Sequence, residues 1–135
     1  MTERYSGLAP SLDDMAALAS AAFDRLPAQF RQMTGHVLIR VDDFPDQETL
    51  DALEIEDPFD LTGLYHGVDL THRSVLDPEI QPSMVLLYRR PILDEWAARG
   101  DVSLEDLVSH VLVHEIGHHF GLSDDQIEAI EAAAD

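Results

Sequence analysis

The chain has 135 residues, of which 45% are hydrophobic and 26% are charged, a balance typical of folded proteins that excludes wholesale disorder. Its 27 acidic residues outnumber 8 basic ones, and the resulting formal net charge of -19 argues against a nucleic-acid partner, because phosphate backbones would be repelled. Cysteine is absent, which excludes disulfides and thiolate metal sites. The sequence has neither an apolar leader nor a ~20-residue apolar segment, which predicts a cytoplasmic protein with no membrane partner.

The N-terminal part of the chain predicts a helix, a strand and a second, short helix. Ser11 and Asp14 have the spacing of a capping box, and apolar residues then recur at helical spacing, which predicts a first helix over about 11–27. The segment HVLIRV at 36–41 is rich in β-branched residues and predicts a strand. A short helix is expected over about 47–53.

The middle of the chain predicts two more strands, LTGLYHG at 61–67 and SMVLLYRR at 83–90, separated by a proline-bearing loop. A short helix is expected over 92–99 and should end at Gly100, since glycine commonly follows a helix. Together with the helices near both ends of the chain, these elements predict a compact α+β fold. We expect one domain over residues 1–135, with a small mixed β-sheet packed against helices.

The strongest predicted element is a helix over about 103–120. It begins with Ser103 and Asp106, which have the spacing of a capping box. Apolar residues follow at i, i+3, i+4 and i+7, the pattern of a buried helical face, and the same face then becomes polar. The apolar positions are Leu104, Leu107, Val108 and Val111, and the polar ones are His114, Glu115 and His118. Polar groups beside a core are costly without a partner, so this face predicts a bound ligand.

His114, Glu115 and His118 form an HExxH motif, which is typical of zinc-dependent hydrolases. Histidines four residues apart lie on one helical face, where both imidazoles can bind one Zn2+ ion. Glu115 then projects beside the metal and can accept a proton from a water molecule that the metal activates, so we assign it as the general base. The neighbouring His110 and His119 are expected to be ordinary histidines, which at most contact a zinc ligand from outside.

The third zinc ligand is expected just beyond this helix, and two carboxylates compete for the role. Gly121 can adopt the left-handed conformation that ends a helix and turns the chain back, which brings Asp124 towards the histidines. Asp124 also follows Ser123 at the start of a further helix, where a capping box and the helix dipole would explain its presence as well. Glu128, on that further helix, is the alternative ligand.

The string HEIGHHFGLSDD resembles the HExxHxxGxxD signature of a bacterial family of minimal zincin-like metallopeptidases. The resemblance extends upstream through LTGLYHGVDLTHRSV and VLLYRRPILDEW, and it covers roughly 62–127. It implies a compact zincin-like core in which zinc is held by His114, His118 and Asp124, with Glu115 as the catalytic residue. It also implies a peptide or protein substrate.

The leading hypothesis is therefore a zinc metallopeptidase that hydrolyses peptide bonds, with Glu115 as general base. The alternative is a zinc-stabilised interaction module that binds partners without cleaving them. A metal-dependent ribonuclease is a weaker alternative, because eight basic residues on a strongly acidic chain are poorly suited to binding RNA.

Zincins bind an extended substrate beside an edge strand of their sheet, and either 61–67 or 83–90 is expected to be that edge. Tyr65 and Tyr88, on these two segments, are expected to pack rather than to donate a hydrogen bond to the reacting carbonyl. Because little chain follows the motif, we expect a shallow site.

Overall fold

The computed structural model describes residues 9–35, 37–66 and 83–134. Within these ranges the chain forms six α-helices, three strands and a short 3-10 helix at Pro58–Asp60. In chain order, the helices and strands are α1 (Leu12–Asp24), α2 (Ala28–Thr34), β1 (Val37–Asp42), α3 (Gln47–Ala52), β2 (Gly63–His66), β3 (Ser83–Tyr88), α4 (Arg89–Arg99), α5 (Leu104–His119) and α6 (Asp124–Ala133). The predicted α+β fold is confirmed, whereas the expected proline-bearing loop between β2 and β3 falls outside the described residues. None of the described helices is long and apolar enough to cross a membrane.

Helix α1 begins where its capping box predicts but ends earlier than expected. The Ser11 hydroxyl accepts the Asp14 N–H, and the Asp14 carboxylate accepts the Ser11 N–H, both at 3.0 Å. The helix ends at Asp24, and α2 starts directly after Pro27, whose backbone is extended (φ -54°, ψ 142°). Proline has no N–H to donate within a helix, so the helix expected over 11–27 is correct at its start and wrong at its end. The sequence pattern did not predict α2.

The three strands form a mixed sheet in the order β1-β3-β2. β1 is parallel to β3, and β2 is antiparallel to it, with Tyr65 opposite Val85. β3 is therefore central, and β2 is an edge strand within the described residues. The expectation that 83–90 could be the edge is wrong, because a strand whose Val85 and Leu87 are completely buried is suited to the middle of a sheet.

The boundary between β3 and α4 also differs from the prediction. The strand expected over 83–90 ends at Tyr88, and α4 begins at Arg89 without an intervening loop. Pro91 lies in the first turn of α4, where its missing N–H would have no helical partner, so the helix tolerates it. As predicted, α4 ends at Gly100, and this residue adopts the left-handed conformation (φ 71°).

Helix α5 lies in the core, in contact with β2 and β3 and with α1, α4 and α6. Its predicted apolar face is buried, since Leu104, Leu107, Val108 and Val111 are at most 5% exposed. Other members of the same hydrophobic cluster come from α1, β3 and α6, namely Met15, Ala19, Val85, Leu87 and Ile127. Because the sheet and three helices contact α5, the backbone that carries the HExxH motif has a defined position in the fold.

A close contact between α5 and α6 occurs at Gly117, where a Cβ atom would lie 2.7 Å from Ile127 Cγ1 and 2.9 Å from Ile127 Cδ1. Gly117→Ala is expected to lower the free energy of unfolding by about 1–2 kcal/mol, because overpacking outweighs the higher helix propensity of alanine. Denaturant unfolding of Gly117→Ala, Ile127→Ala and the double variant checks this as a double-mutant cycle. The two losses should be less than additive, since Ile127→Ala removes the clashing atoms. Additive losses would contradict the contact.

Candidate metal centre

The helix that carries the HExxH motif ends in a turn that folds the chain back. Gly121 has φ 77°, and its N–H donates to the His118 carbonyl at 3.0 Å. The Leu122 N–H donates to the Gly117 carbonyl at 2.9 Å, which completes a Schellman motif. The left-handed conformation predicted for Gly121 is confirmed, and α6 begins three residues later at Asp124.

This turn brings Asp124 close to the two histidines of the motif. His114, His118 and Asp124 each offer one ligand atom, and these three atoms lie within 4.8 Å of one another. His118 Nε2 lies 3.5 Å from Asp124 Oδ1. Two ligands of a tetrahedral zinc ion, with bonds of ~2.0–2.1 Å, are separated by roughly 3.3 Å. Two imidazoles and a carboxylate are also donors that zinc accepts, so these three residues fit a zinc ion.

Asp124 is available as a ligand because other residues cap the start of α6. Ser123 and Gln126 form the predicted capping box, with hydrogen bonds of 2.8 Å and 3.2 Å. Asp124 is the first residue of α6, and its side chain is 80% exposed. Glu128, the alternative ligand, lies one turn further along α6 and belongs to neither group of described residues that could hold a metal ion. The geometry therefore favours Asp124 over Glu128.

His114 is the more enclosed of the two histidines, being half-buried, whereas the His118 side chain is 54% exposed. Burial lowers the pKa of His114, and the neighbouring His110 imidazole lowers it further, while the Glu131 carboxylate raises it. Only a neutral imidazole can bind a metal ion, and a lowered pKa extends the pH range in which His114 is neutral. The surroundings of His114 therefore favour its use as a ligand.

Glu115 lies half-buried between α5 and the edge strand β2. Burial raises the pKa of Glu115, while the His118 imidazole and a hydrogen bond from the Tyr65 backbone lower it. Gly63 makes room for this arrangement, because a Cβ atom there would lie 3.2 Å from Glu115 Cγ and 2.8 Å from Val111 Cγ1. Gly63 was not among the residues singled out in the sequence, although a glycine within a predicted strand is a signal of close backbone approach.

The raised pKa of Glu115 predicts how its charge affects stability. The buried position of Glu115 favours its protonated form over its charged form. The resulting contribution to the free energy of unfolding is fully present below the ordinary pKa of 4.5, and it is lost as the pH rises through the higher pKa that Glu115 has in the folded state. Glu115→Gln is therefore expected to raise the thermal unfolding midpoint of the metal-free chain by a few degrees near neutral pH, with a smaller gain towards about pH 5. Glu128→Gln removes the same charge from an exposed position and serves as the control. A lower midpoint for Glu115→Gln at neutral pH would contradict the cost assigned to the buried carboxylate.

Tyr65 and Tyr88 pack against other side chains, as expected. Of the two histidines of α5 outside the motif, His110 approaches the candidate site. Tyr88 is 2% exposed, and burial raises its pKa. The Tyr65 ring stacks on the His119 ring with centroids 3.9 Å apart, and the Tyr65 hydroxyl is buried. His110 contacts the candidate site directly, with its ring centroid 4.0 Å from that of His114.

Comparison with known protein families gives a match over most of this chain. Residues 34–134 match the family described as zincin-like metallopeptidase. The match covers about three quarters of the chain, from the end of α2 through α6, and it includes His114, Glu115, His118 and Asp124. No curated protein matches the chain.

Proposed function

The chain belongs to the zincin-like metallopeptidase family, and we propose that it is a zinc-dependent metallopeptidase that hydrolyses peptide bonds. In this proposal His114, His118 and Asp124 hold the zinc ion, and Glu115 is the general base. The observation that carries the proposal is the set of three ligand atoms within 4.8 Å of one another, together with the half-buried carboxylate of Glu115, which interacts electrostatically with His118. Three protein ligands leave a position for water, as in catalytic zinc sites, whereas structural sites have four.

Glu115 is suited to moving protons in this reaction. When bound, zinc polarises the substrate carbonyl and lowers the pKa of a water molecule. Glu115 would accept a proton from the attacking water as the water oxygen bonds to the carbonyl carbon, and it would pass the proton to the departing amine as the C–N bond breaks. In the metal-free chain, burial raises the pKa of Glu115, which favours proton acceptance by its carboxylate, whereas the positive charge of a bound zinc ion would act in the opposite direction.

Within the part of the chain that the structure describes, β2 is an edge strand, and it offers a binding surface for an extended peptide next to Glu115. The Tyr88 N–H donates to the Thr62 carbonyl at 3.0 Å, and antiparallel pairing alternates, so the backbone polar groups of Gly63 and Tyr65 point away from β3. The Tyr65 backbone reaches the Glu115 carboxylate from this side. A peptide or protein substrate that pairs with the remaining groups by β-augmentation would therefore pass beside the base.

The proposed site is open to solvent. The side chains of His118 and Asp124 are 54% and 80% exposed. An open site buries little of a substrate's side chains, so we expect broad side-chain preference and recognition that depends mainly on the substrate backbone. The same openness suits the alternative, a zinc-stabilised interaction module that binds an extended segment without cleaving it.

Cleavage of a peptide library by the zinc-loaded full chain tests the proposed function. The peptides carry varied side chains at each position, and mass spectrometry identifies the products. We expect cleavage that a chelator abolishes and added zinc restores. If the chain binds zinc but cleaves no peptide in the library, the peptidase proposal is wrong and the interaction module is favoured.

A further inference from the structure

Helix α5 carries a third histidine, His110, one turn before His114, and this residue contacts a carboxylate of α6. His110 Nδ1 lies 2.7 Å from Glu131 Oε1, and the His110 and His114 ring centroids are 4.0 Å apart. His110, His114 and Glu131 each offer one ligand atom, and these atoms lie within 4.8 Å of one another. This second group has the same donors as the proposed zinc site, namely two imidazoles four residues apart and one carboxylate.

The packing of α5 against α6 explains why the donor set occurs twice. Asp124 and Glu131 are seven residues apart, so they lie on the same face of α6, two turns from each other. His118 faces Asp124 and His110 faces Glu131, which shows that the two helices run in opposite directions where they meet. His114 lies between these two pairs and can contribute to either group.

A cation can reach the second group from solvent. The side chains of His110 and Glu131 are 45% and 25% exposed, and both line an open cleft of about 380 Å³. Their 2.7 Å contact is shorter than the roughly 3.3 Å between two ligands of tetrahedral zinc. The two groups would therefore separate by less than about 1 Å around a metal ion. Partly exposed side chains can make that adjustment without disturbing the buried face of α5.

We propose that His110, His114 and Glu131 form a second site for a divalent cation such as zinc, which shares His114 with the first site. A neutral imidazole has one unprotonated nitrogen, so His114 binds one metal ion at a time and the two sites are alternatives. A zinc ion in the second site thus deprives the first site of one of its three ligands. The second site can bind a cation whether or not the chain is a peptidase. If the proposed function is correct, a zinc ion in the second site inhibits cleavage, and this part of the inference rests on the proposed function.

Zinc binding by the full-length variant His118→Ala/Asp124→Ala tests the second site separately from the first. This variant removes two ligands of the first site and leaves His110, His114 and Glu131 unchanged. Both replaced side chains are more than half exposed, so the fold should persist, and circular dichroism checks this. Competition with a chromophoric chelator is expected to show one zinc ion bound per chain.

Two further substitutions in this background show which residues hold the ion. Adding His110→Ala or Glu131→Gln is expected to weaken zinc affinity by at least about 10-fold. Adding Glu128→Gln, a matched loss of charge on α6, should leave the affinity nearly unchanged. The second site is ruled out if His118→Ala/Asp124→Ala binds no zinc, or if Glu131→Gln and Glu128→Gln have equal effects. Neither of these results bears on the cleavage assay that tests the peptidase proposal.

Discussion

Zinc-loaded Glu115→Gln protein is expected to cleave peptides about 10³-fold more slowly than the wild-type chain. Glutamine has nearly the same shape as glutamate, but it cannot accept a proton from water and return it to the departing amine. Its amide oxygen can still accept the hydrogen bond from the Tyr65 backbone, so the side chain should keep its position. Zinc affinity should be essentially unchanged, because Glu115 is not one of the proposed ligands.

Initial rates on a peptide chosen from the library, together with the zinc content of each sample, measure this effect. Glu105→Gln is a matched control, because it removes the same charge from an exposed position at the other end of α5, and Glu105 is not a candidate ligand. The control should cleave at the wild-type rate. Equal rates for Glu115→Gln and the wild-type chain would rule out Glu115 as the base. Loss of bound zinc in Glu115→Gln would instead show that this carboxylate is a ligand.

In a Glu131→Gln background, which disables the proposed second site, Asp124→Ala is expected to weaken zinc binding by at least about 100-fold and to reduce cleavage correspondingly at limiting zinc. The substitution removes the negatively charged ligand and leaves two neutral imidazoles. Asp124 does not cap α6, since Ser123 and Gln126 do so. Most of α6 should therefore remain folded, and the loss should reflect the missing ligand rather than a displaced helix.

Two neighbouring acidic residues distinguish this explanation from a general loss of negative charge. Asp125 shares the first turn of α6 with Asp124, and Glu128 lies on the next turn. Asp125→Ala and Glu128→Ala should each change the zinc affinity by less than about threefold, because long-range effects of exposed charges are screened. A large loss in Glu128→Ala with a small one in Asp124→Ala would reassign the third ligand to Glu128. Chelator competition at fixed ionic strength gives all of these affinities.

Much of the candidate site could be predicted because its signals are local. The apolar face of α5 continues into the HExxH motif, so the helical period alone places His114 and His118 on one side. Gly121 is followed by Ser123 and Gln126, which indicates that one helix ends and another begins within a few residues. These short-range signals predict that Asp124 lies near the two histidines, and the structure has the same arrangement.

The features that sequence could not predict depend on contacts between distant segments. The strand order depends on pairing between segments that are distant in the chain. The residue patterns of 61–67 and 83–90 therefore did not indicate which of the two strands would be central. Gly63 acquires its role only because β2 packs against α5 beside Glu115. The His110–Glu131 contact likewise requires α5 and α6 to pack side by side, since the residues are 21 positions apart.

A structure of the zinc-loaded full chain tests the central claim most directly, because the claim concerns which atoms surround the metal. We predict one zinc ion bound by His114, His118 and Asp124, with a fourth position that faces Glu115 and is open to water. A fourth protein ligand in that position would make the site structural and would contradict catalysis. Zinc held by Glu128 in place of Asp124 would contradict the proposed ligand set.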